Sequence, residues 1–415
     1  MTLFSSARAP GTGVRRLTGT LYAYAFLDDF VLLYPLYALL FAEHGLTVWQ
    51  ISSLFALWSL TGVLLEVPSG VWADTFSRRT LLWFGPLLTA AGFALWVLAP
   101  SYWAFALGFV LWGAKGALGS GALEALVYEE LDRLGAAGRY GRVLGRARAA
   151  GLVAVMAAMG LAGPVLTAGG HPAVGLASVL ACLLTAATAA RFPEHREPPA
   201  RTGPGEGRVR PLRSGLAEAR ADRSVRAALL LVPAVTAVWG ALDEYTPLLV
   251  RDTGVAGHAV PYWLLLVWAG ATAGGLLAGA GERLGGGGFA GLLAGSALAL
   301  AAGAAARTPA GIVLVALAFG GFQLASVLAD ARLQERIGAT GRATLTSVAG
   351  VGTDLATVAV FGVYAAVGSA TTHAAAFVLC AVPYLLTALL VAAGRGTGGR
   401  KAGGARTGGT GAPAP

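Results

Sequence analysis

Long apolar runs dominate the chain, and short polar breaks containing Gly, Pro, Ser or Arg separate them. A helix needs about 20 apolar residues to cross the hydrocarbon core of a bilayer, and the runs are of about that length. The pattern therefore predicts membrane-spanning α-helices. The runs that we number as spans 1 to 12 are 17–42, 47–73, 80–99, 102–131, 143–168, 173–191, 225–250, 259–281, 287–306, 309–331, 343–368 and 372–393.

The longest polar break, 192–224, is rich in Pro, Gly and Arg and divides six spans from six. We expect an N-terminal six-helix half at 1–191, a cytoplasmic linker at 192–224 and a C-terminal six-helix half at 225–393. Within the linker, 212–223 is expected to form an amphipathic helix on the membrane surface. The Gly-rich segment 394–415 is expected to be a disordered cytoplasmic tail.

Two short segments recur between the halves. The segment 26–30 (Phe-Leu-Asp-Asp-Phe) resembles 241–245 (Ala-Leu-Asp-Glu-Tyr), and 131–135 resembles 334–338. The repeats predict an all-α integral membrane protein whose twelve transmembrane helices form two six-helix pseudo-repeat halves. In such architectures the ligand site lies near the bilayer midplane, between the halves.

Composition and charge placement support a membrane environment. Hydrophobic residues make up 56% of the chain and charged residues 12%, whereas soluble domains have about 25% charged residues. With the N-terminus inside, only Arg251 and Arg307 of the 30 Lys and Arg fall in outside loops, and Lys115 lies within a span. This is the positive-inside pattern, and it predicts a multi-pass protein of the cell (plasma or inner) membrane with both termini in the cytoplasm. The net charge of +9 therefore fits anionic membrane lipids as partners and argues against nucleic acid.

Several ionisable residues lie at membrane depth. An ionisable group at the centre of a membrane helix costs about 2.5–3.5 kcal/mol on insertion scales and needs a reason. Asp28 and Asp29 lie near the middle of span 1, Asp243 and Glu244 are their counterparts in span 7, and Lys115 lies in the middle of span 4. We expect them to act in proton exchange, because a buried carboxylate near a lysine can gain and lose a proton. The alternative is a set of ion pairs that only hold the helices together.

The orientation of the two acids in span 1 stays open. Adjacent helical residues point about 100° apart, so Asp28 and Asp29 face different neighbours. Span 1 also carries an aromatic stripe: Tyr22, Phe26, Phe30, Tyr34, Tyr37 and Phe41. If the stripe lines a cavity, Asp29 borders the cavity and Asp28 packs against another helix; if it faces lipid, Asp28 points inward. The candidate cavity residues are Asp28, Asp29, Lys115, Tyr34, Tyr37, Asp243 and Glu244. By contrast, Glu129, Glu130 and Asp132 at the end of span 4 are expected to be solvated.

The loop between spans 2 and 3 carries the most specific motif. Residues 70–82 read Gly-Val-Trp-Ala-Asp-Thr-Phe-Ser-Arg-Arg-Thr-Leu-Leu, which resembles the major facilitator signature of that loop, with departures at 75 and 77. The resemblance implies a cytoplasmic gate formed by Gly70, Asp74, Arg78 and Arg79. Asp74 can accept N–H groups from a helix N-terminus, and the arginines can pair across the inner mouth. Alternatively, the arginines only anchor the topology.

Two further segments resemble motifs of the same family. Span 4 reads Gly-Ala-Lys-Gly-Ala-Leu-Gly-Ser-Gly over 113–121 and is similar to a family motif implicated in proton coupling, with Lys115 in place of arginine. In span 5, Gly160, Gly163 and Pro164 resemble the Gly-rich motif of family antiporters, although the spacing differs. The alternative for span 5 is close helix packing through small residues.

The resemblance implies a bacterial, drug-exporter-like member of the major facilitator superfamily. We therefore expect a proton-coupled secondary transporter that works by alternating access as a monomer and exports small amphipathic or aromatic molecules. The alternatives are a proton-coupled uptake symporter, and a non-transporting membrane receptor or integral membrane enzyme. The sequence has no phosphate-binding Gly-Lys-Ser/Thr loop, no Gly-x-Ser-x-Gly elbow and no His cluster with metal-ligand spacing, so we expect no enzymatic activity, cofactor or metal.

Overall fold

The computed structural model describes residues 10–195, 222–337 and 342–402, and the regular structure in these ranges is entirely helical. The amphipathic helix expected at 212–223 lies mostly outside them, as does most of the linker. The helices are Pro10–Asp29 and Tyr37–Glu43 (span 1), Val48–Thr75 (span 2), Arg78–Leu98 (span 3), Tyr102–Gly119 and Ala122–Arg133 (span 4), Tyr140–Ala189 (spans 5 and 6), Arg223–Asp252 (span 7), Val260–Leu276 and Ala278–Gly281 (span 8), Gly286–Ala305 (span 9), Pro309–Arg336 (span 10), Arg342–Ala370 (span 11), and His373–Cys380 and Val382–Ala402 (span 12).

Ten helical segments of the described chain are long and apolar enough to cross a membrane. One of them contains both spans 5 and 6, which Gly169 and Gly170 separate by leaving the helical conformation, Gly170 with φ of 65°. Span 1 is absent from the ten because its first helix, Pro10–Asp29, contains two arginines and two aspartates and is not apolar enough, and its second helix, Tyr37–Glu43, has only seven residues. Nine of the ten segments hold one span each. With spans 5 and 6 in the tenth segment and span 1 added, the described residues hold twelve spans, and the predicted fold class is confirmed.

The last helix extends further than the sequence suggests. It continues to Ala402, past Gly394, where we expected the disordered tail to begin. Residues 403–415 lie outside the described chain.

Two compact units make up the fold. Of the described residues, unit 1 comprises 10–195, 243–265 and 357–371, and unit 2 comprises 222–242, 266–337, 342–356 and 372–402. One boundary between the units lies between residues 195 and 222, at the predicted linker, another lies between spans 11 and 12, and the others fall inside spans 7, 8 and 11. The division into two halves that meet at the linker stays a prediction.

Unit 1 has an aromatic core built from spans 1 to 4. Phe41 lies 5.1 Å from Trp96 and 4.4 Å from Phe105, measured between ring centroids. Spans 3 and 4 approach closely beside it, because a Cβ on Gly92 would lie only 3.0 Å from the Cα of Gly108. Small residues allow this approach in membranes, where packing replaces the hydrophobic effect between helices.

Unit 2 contains a hydroxyl that bridges the backbone of span 7. The Tyr384 hydroxyl accepts the Trp239 backbone N–H at 2.8 Å and donates to the Val235 carbonyl at 3.0 Å. At the start of the same span, the Ser224 backbone N–H donates to Asp222 Oδ1 at 2.7 Å. This bond holds the pKa of the Asp222 carboxyl below its usual value.

Candidate functional site

Span 1 is broken at membrane depth, between Asp29 and Tyr37. Pro35 explains the break, because proline has no N–H to donate and its ring clashes with the carbonyl four residues earlier. Within the break, the Leu33 backbone N–H donates to Ser178 Oγ of span 6 at 3.0 Å. The Tyr34 hydroxyl donates to Asp243 Oδ2 of span 7 at 3.1 Å. The break therefore presents a tyrosine hydroxyl to one of the predicted acids.

Lys115 forms an ion pair with the first acid of span 1. Its Nζ lies 2.7 Å from Asp28 Oδ2, and the two side chains are 21% and 22% exposed. Gly85 of span 3 makes room for the lysine, since a Cβ on Gly85 would lie 3.1 Å from Lys115 Cγ. The ammonium thus serves as the counter-charge expected from the sequence, and it pairs with Asp28 at this distance.

Asp29 lies beside span 5. Its side chain is exposed, and a Cβ on Gly151 would collide with Asp29 Oδ2. Gly151 therefore provides the space that the carboxylate occupies. The two neighbouring acids diverge as helical geometry requires: Asp28 reaches span 4 and Asp29 lies along span 5.

Glu244 is the most enclosed of the acids predicted at membrane depth. It is 8% exposed, and its Oε2 has no hydrogen-bond partner within the described chain. Its neighbour in the chain, Asp243, accepts the Tyr34 hydroxyl at 3.1 Å. Burying an ionised carboxylate without a partner is costly, so Glu244 is suited to carry a proton. Unit 1 thus brings together six of the predicted residues: Asp28, Asp29, Lys115, Tyr34, Asp243 and Glu244.

Tyr37, the seventh predicted residue, is enclosed and does not face open space. It is 3% exposed, and its ring lies 5.9 Å from the Phe55 and Phe109 rings and 6.1 Å from the Trp112 ring. Its place in the aromatic core follows from the break, after which the helix resumes at Tyr37 itself.

The predicted gate residue Arg78 has two acidic partners. Its Nη1 lies 2.5 Å from Glu129 Oε2 of span 4, and its backbone N–H donates to Glu194 Oε1 at 2.8 Å. The Ser77 hydroxyl donates to the same Glu194 carboxylate, which lies at the start of a helix, where a negative charge is favourable. Arg79 is exposed.

The other gate residues fall where side chains are not described. Gly70 and Asp74 belong to the helix Val48–Thr75, but the structure describes only the backbone of residues 67–75. The pairing of Asp74 with a helix N-terminus stays a prediction.

Glu130 is not solvated, so this prediction is wrong. It is 3% exposed, accepts the His195 backbone N–H at 2.8 Å and pairs with Arg133 at 3.0 Å. The reason is that the chain after span 6 returns across the end of span 4. Phe192, which is 1% exposed, packs against Tyr24 and holds this returning segment in place. In the sequence, an apolar residue at the start of a polar linker was the signal that the linker packs against the helices there.

The glycines of span 5 differ from one another. Gly163 is buried, and a Cβ there would collide with the His258 carbonyl oxygen and lie 3.3 Å from the Tyr262 ring. Gly160 faces open space, and Pro164 is exposed. Close packing against span 8 is therefore sufficient to explain the glycine at position 163.

Glu43 holds two basic side chains at the other end of span 1, an arrangement that we call the Glu43 clasp. Arg251 Nη1 lies 2.7 Å from Glu43 Oε1, and His171 Nε2 lies 2.8 Å from Glu43 Oε2. The clasp joins the ends of spans 1, 6 and 7. It also gives a reason for Arg251, one of the two exceptions to the positive-inside pattern.

A double-mutant cycle measures the strength of the clasp. We expect Glu43→Gln and Arg251→Gln to be coupled by about 0.5–1 kcal/mol, because partly exposed ion pairs contribute in that range. The readout is unfolding in mixed detergent micelles. Arg307→Gln, the other basic residue expected outside, should add to Glu43→Gln without coupling. Additivity of Glu43→Gln and Arg251→Gln would contradict the clasp.

Comparisons with known proteins agree with this architecture. The family model described as Major Facilitator Superfamily matches residues 19–361. A crystal structure of a mutant of the nucleoside transporter NupG is similar, with a TM-score of 0.74 and 13% identity over 91% of this chain and 99% of that chain. A search of curated proteins found no match.

Two other solved structures are similar in fold. A bacterial homologue of the human lysosomal transporter Spinster, inward-facing and unoccupied, has a TM-score of 0.65 and 16% identity over 93% of this chain and 97% of that chain. An auto-inhibited POT family peptide transporter has a TM-score of 0.64 and 15% identity over 97% of this chain and 99% of that chain. At these identities the likeness concerns the fold alone.

Proposed function

Because the chain belongs to the Major Facilitator Superfamily, we propose that it is a proton-coupled secondary transporter that exports small amphipathic or aromatic molecules by alternating access. That it is a membrane transporter and not an enzyme follows from the family and the similar structures. The coupling ion, the direction and the substrate class are our proposal. The observation that carries it is the group of four carboxyls and one ammonium at membrane depth in unit 1.

The chemistry of the group supports proton coupling. Lys115 neutralises Asp28 at 2.7 Å, and the other membrane-depth carboxyls of the group are Asp29, Asp243 and Glu244. Each of them is stabilised as an uncharged acid when its surroundings are dry and as an anion when water reaches it. A carboxyl that meets water from opposite sides in turn takes up a proton on one side and releases it on the other.

Aromatic surface and span 5 support export of amphipathic molecules. The Phe26 and Phe30 rings stack at 5.5 Å, and both side chains are partly exposed, so they offer a flat apolar face next to Asp29. The Gly160–Pro164 segment resembles that of exporters in the family. The similar nucleoside and peptide transporters agree with a small organic solute.

The positive-inside pattern supports the proposed topology. The transporter lies in the cell membrane as a monomer with both termini in the cytoplasm, and its basic loops contact anionic lipids. In this orientation Arg78, Glu129 and Glu194 lie at the cytoplasmic end, where the predicted gate operates. The Glu43 clasp lies at the opposite end.

Transport by the purified chain in proteoliposomes tests the proposal. We expect efflux of cationic and neutral aromatic dyes to be accelerated by an opposing proton gradient, and Asp29→Asn to lose this acceleration while inserting normally. A rate of dye efflux that is independent of the proton gradient would contradict proton coupling. Gradient-driven flux of the solute in the same direction as the proton would indicate an uptake symporter instead.

A further inference from the structure

One buried serine holds the break in span 1. Ser178 of span 6 is 0% exposed. Its Oγ accepts the Leu33 backbone N–H at 3.0 Å, and its hydroxyl donates to the Val174 carbonyl at 2.9 Å. The proton of the hydroxyl therefore goes to its own helix, and a lone pair is directed to the break.

This contact is needed because of the surroundings of the break. A backbone N–H without a partner at membrane depth is unfavourable, because lipid offers it no hydrogen-bond acceptor, and Pro35 prevents the helix from continuing through this segment. The Leu33 carbonyl already accepts the Leu36 and Tyr37 N–H groups at 2.9 and 2.8 Å. Ser178 therefore provides the acceptor for the Leu33 backbone N–H.

The anchored residue precedes the one that reaches span 7. Consecutive Cα atoms are about 3.8 Å apart, so a fixed Leu33 restricts where the Tyr34 backbone can lie. From that position the Tyr34 hydroxyl donates to Asp243 Oδ2 at 3.1 Å. Asp243 adjoins Glu244, the enclosed acid.

We propose that Ser178 is a positioning residue of the membrane-depth site: it fixes the break in span 1 so that Tyr34 is held against Asp243. The break is then a structural component of the site, and Ser178 influences proton exchange through Tyr34 without contacting a carboxyl itself. The link to proton exchange rests on the proposed function; the anchoring of the break does not.

Hydrogen exchange tests the anchoring directly. In Ser178→Ala, amide exchange of the peptide covering 30–36 should rise by up to about tenfold, which corresponds to the loss of one hydrogen bond. Thr185→Val is the matched control, because Thr185 lies on the same span, is 0% exposed and donates to the Ala181 carbonyl of its own helix at 2.8 Å. Unchanged exchange of 30–36 in Ser178→Ala would overturn the proposal.

Transport kinetics test the positioning role. Ser178→Ala should shift the pH profile of transport and raise KM more than it lowers the maximal rate, whereas Thr185→Val should leave both unchanged. Ser178→Thr retains the hydroxyl and should keep the wild-type pH profile. If the added methyl group prevents folding of Ser178→Thr, the comparison of Ser178→Ala with Thr185→Val tests the positioning role. Faster exchange with an unchanged pH profile would overturn the positioning role. A wild-type protein without proton-linked flux would instead refute the proposed function and leave the exchange result standing.

Discussion

Lys115→Met is expected to lower the free energy of unfolding by about 3 kcal/mol, because it leaves Asp28 at membrane depth without its counter-charge. In the wild type, Nζ and Oδ2 lie 2.7 Å apart and both side chains are about four-fifths buried. Removing one member of such a pair costs more than the pair contributes, since the remaining charge keeps its desolvation penalty. Unfolding in mixed micelles is the measurement.

The double variant Asp28→Leu/Lys115→Met separates stability from function. It should recover most of the lost stability, because replacing both charges by apolar groups of similar size leaves no unpaired charge. It should not recover proton-linked transport if the pair belongs to the mechanism. Arg146→Gln is the control for removing a positive charge, because Arg146 is exposed and belongs to none of the predicted sites. A double variant as unstable as Lys115→Met would contradict the ion-pair explanation.

Glu244→Gln is expected to abolish gradient-driven transport while leaving stability unchanged or slightly higher. Glutamine resembles the uncharged acid in shape, and the side chain is 8% exposed with Oε2 lacking a hydrogen-bond partner within the described chain. It cannot exchange a proton, so the coupling between proton and substrate disappears. Coupling free energies of 1–3 kcal/mol correspond to roughly a 5–150-fold loss of the gradient effect.

Two assays distinguish lost coupling from lost transport. Exchange of labelled for unlabelled substrate at equal pH on both sides should persist in Glu244→Gln, and its rate should become independent of pH. Glu335→Gln, which changes an exposed acid at the end of span 10, should behave as the wild type in both assays. Full pH dependence in Glu244→Gln would exclude Glu244 as the proton carrier and direct attention to Asp29 and Asp243.

The predicted span pattern was accurate because the bilayer imposes a simple rule. A segment of about 20 apolar residues must form a helix there, since backbone groups can be satisfied only within the segment. The same rule singled out the ionisable residues, because each one in an apolar run stands out against the cost of burying it. The pairing of Lys115 with an acid of span 1 also followed from the need for a counter-charge.

What the sequence alone determined is therefore the class of fold, the positions of the spans and the list of membrane-depth acids. Only the tertiary structure decided their partners: Lys115 with Asp28, the space for Asp29 at Gly151, and the enclosure of Tyr37 in the aromatic core. Pro35 was visible in the sequence, but the partner of the Leu33 backbone N–H in the break, Ser178 Oγ, lies on a different helix. The physical reason is that apolar spacing encodes what each helix buries, whereas contacts between helices depend on how close small residues let them come.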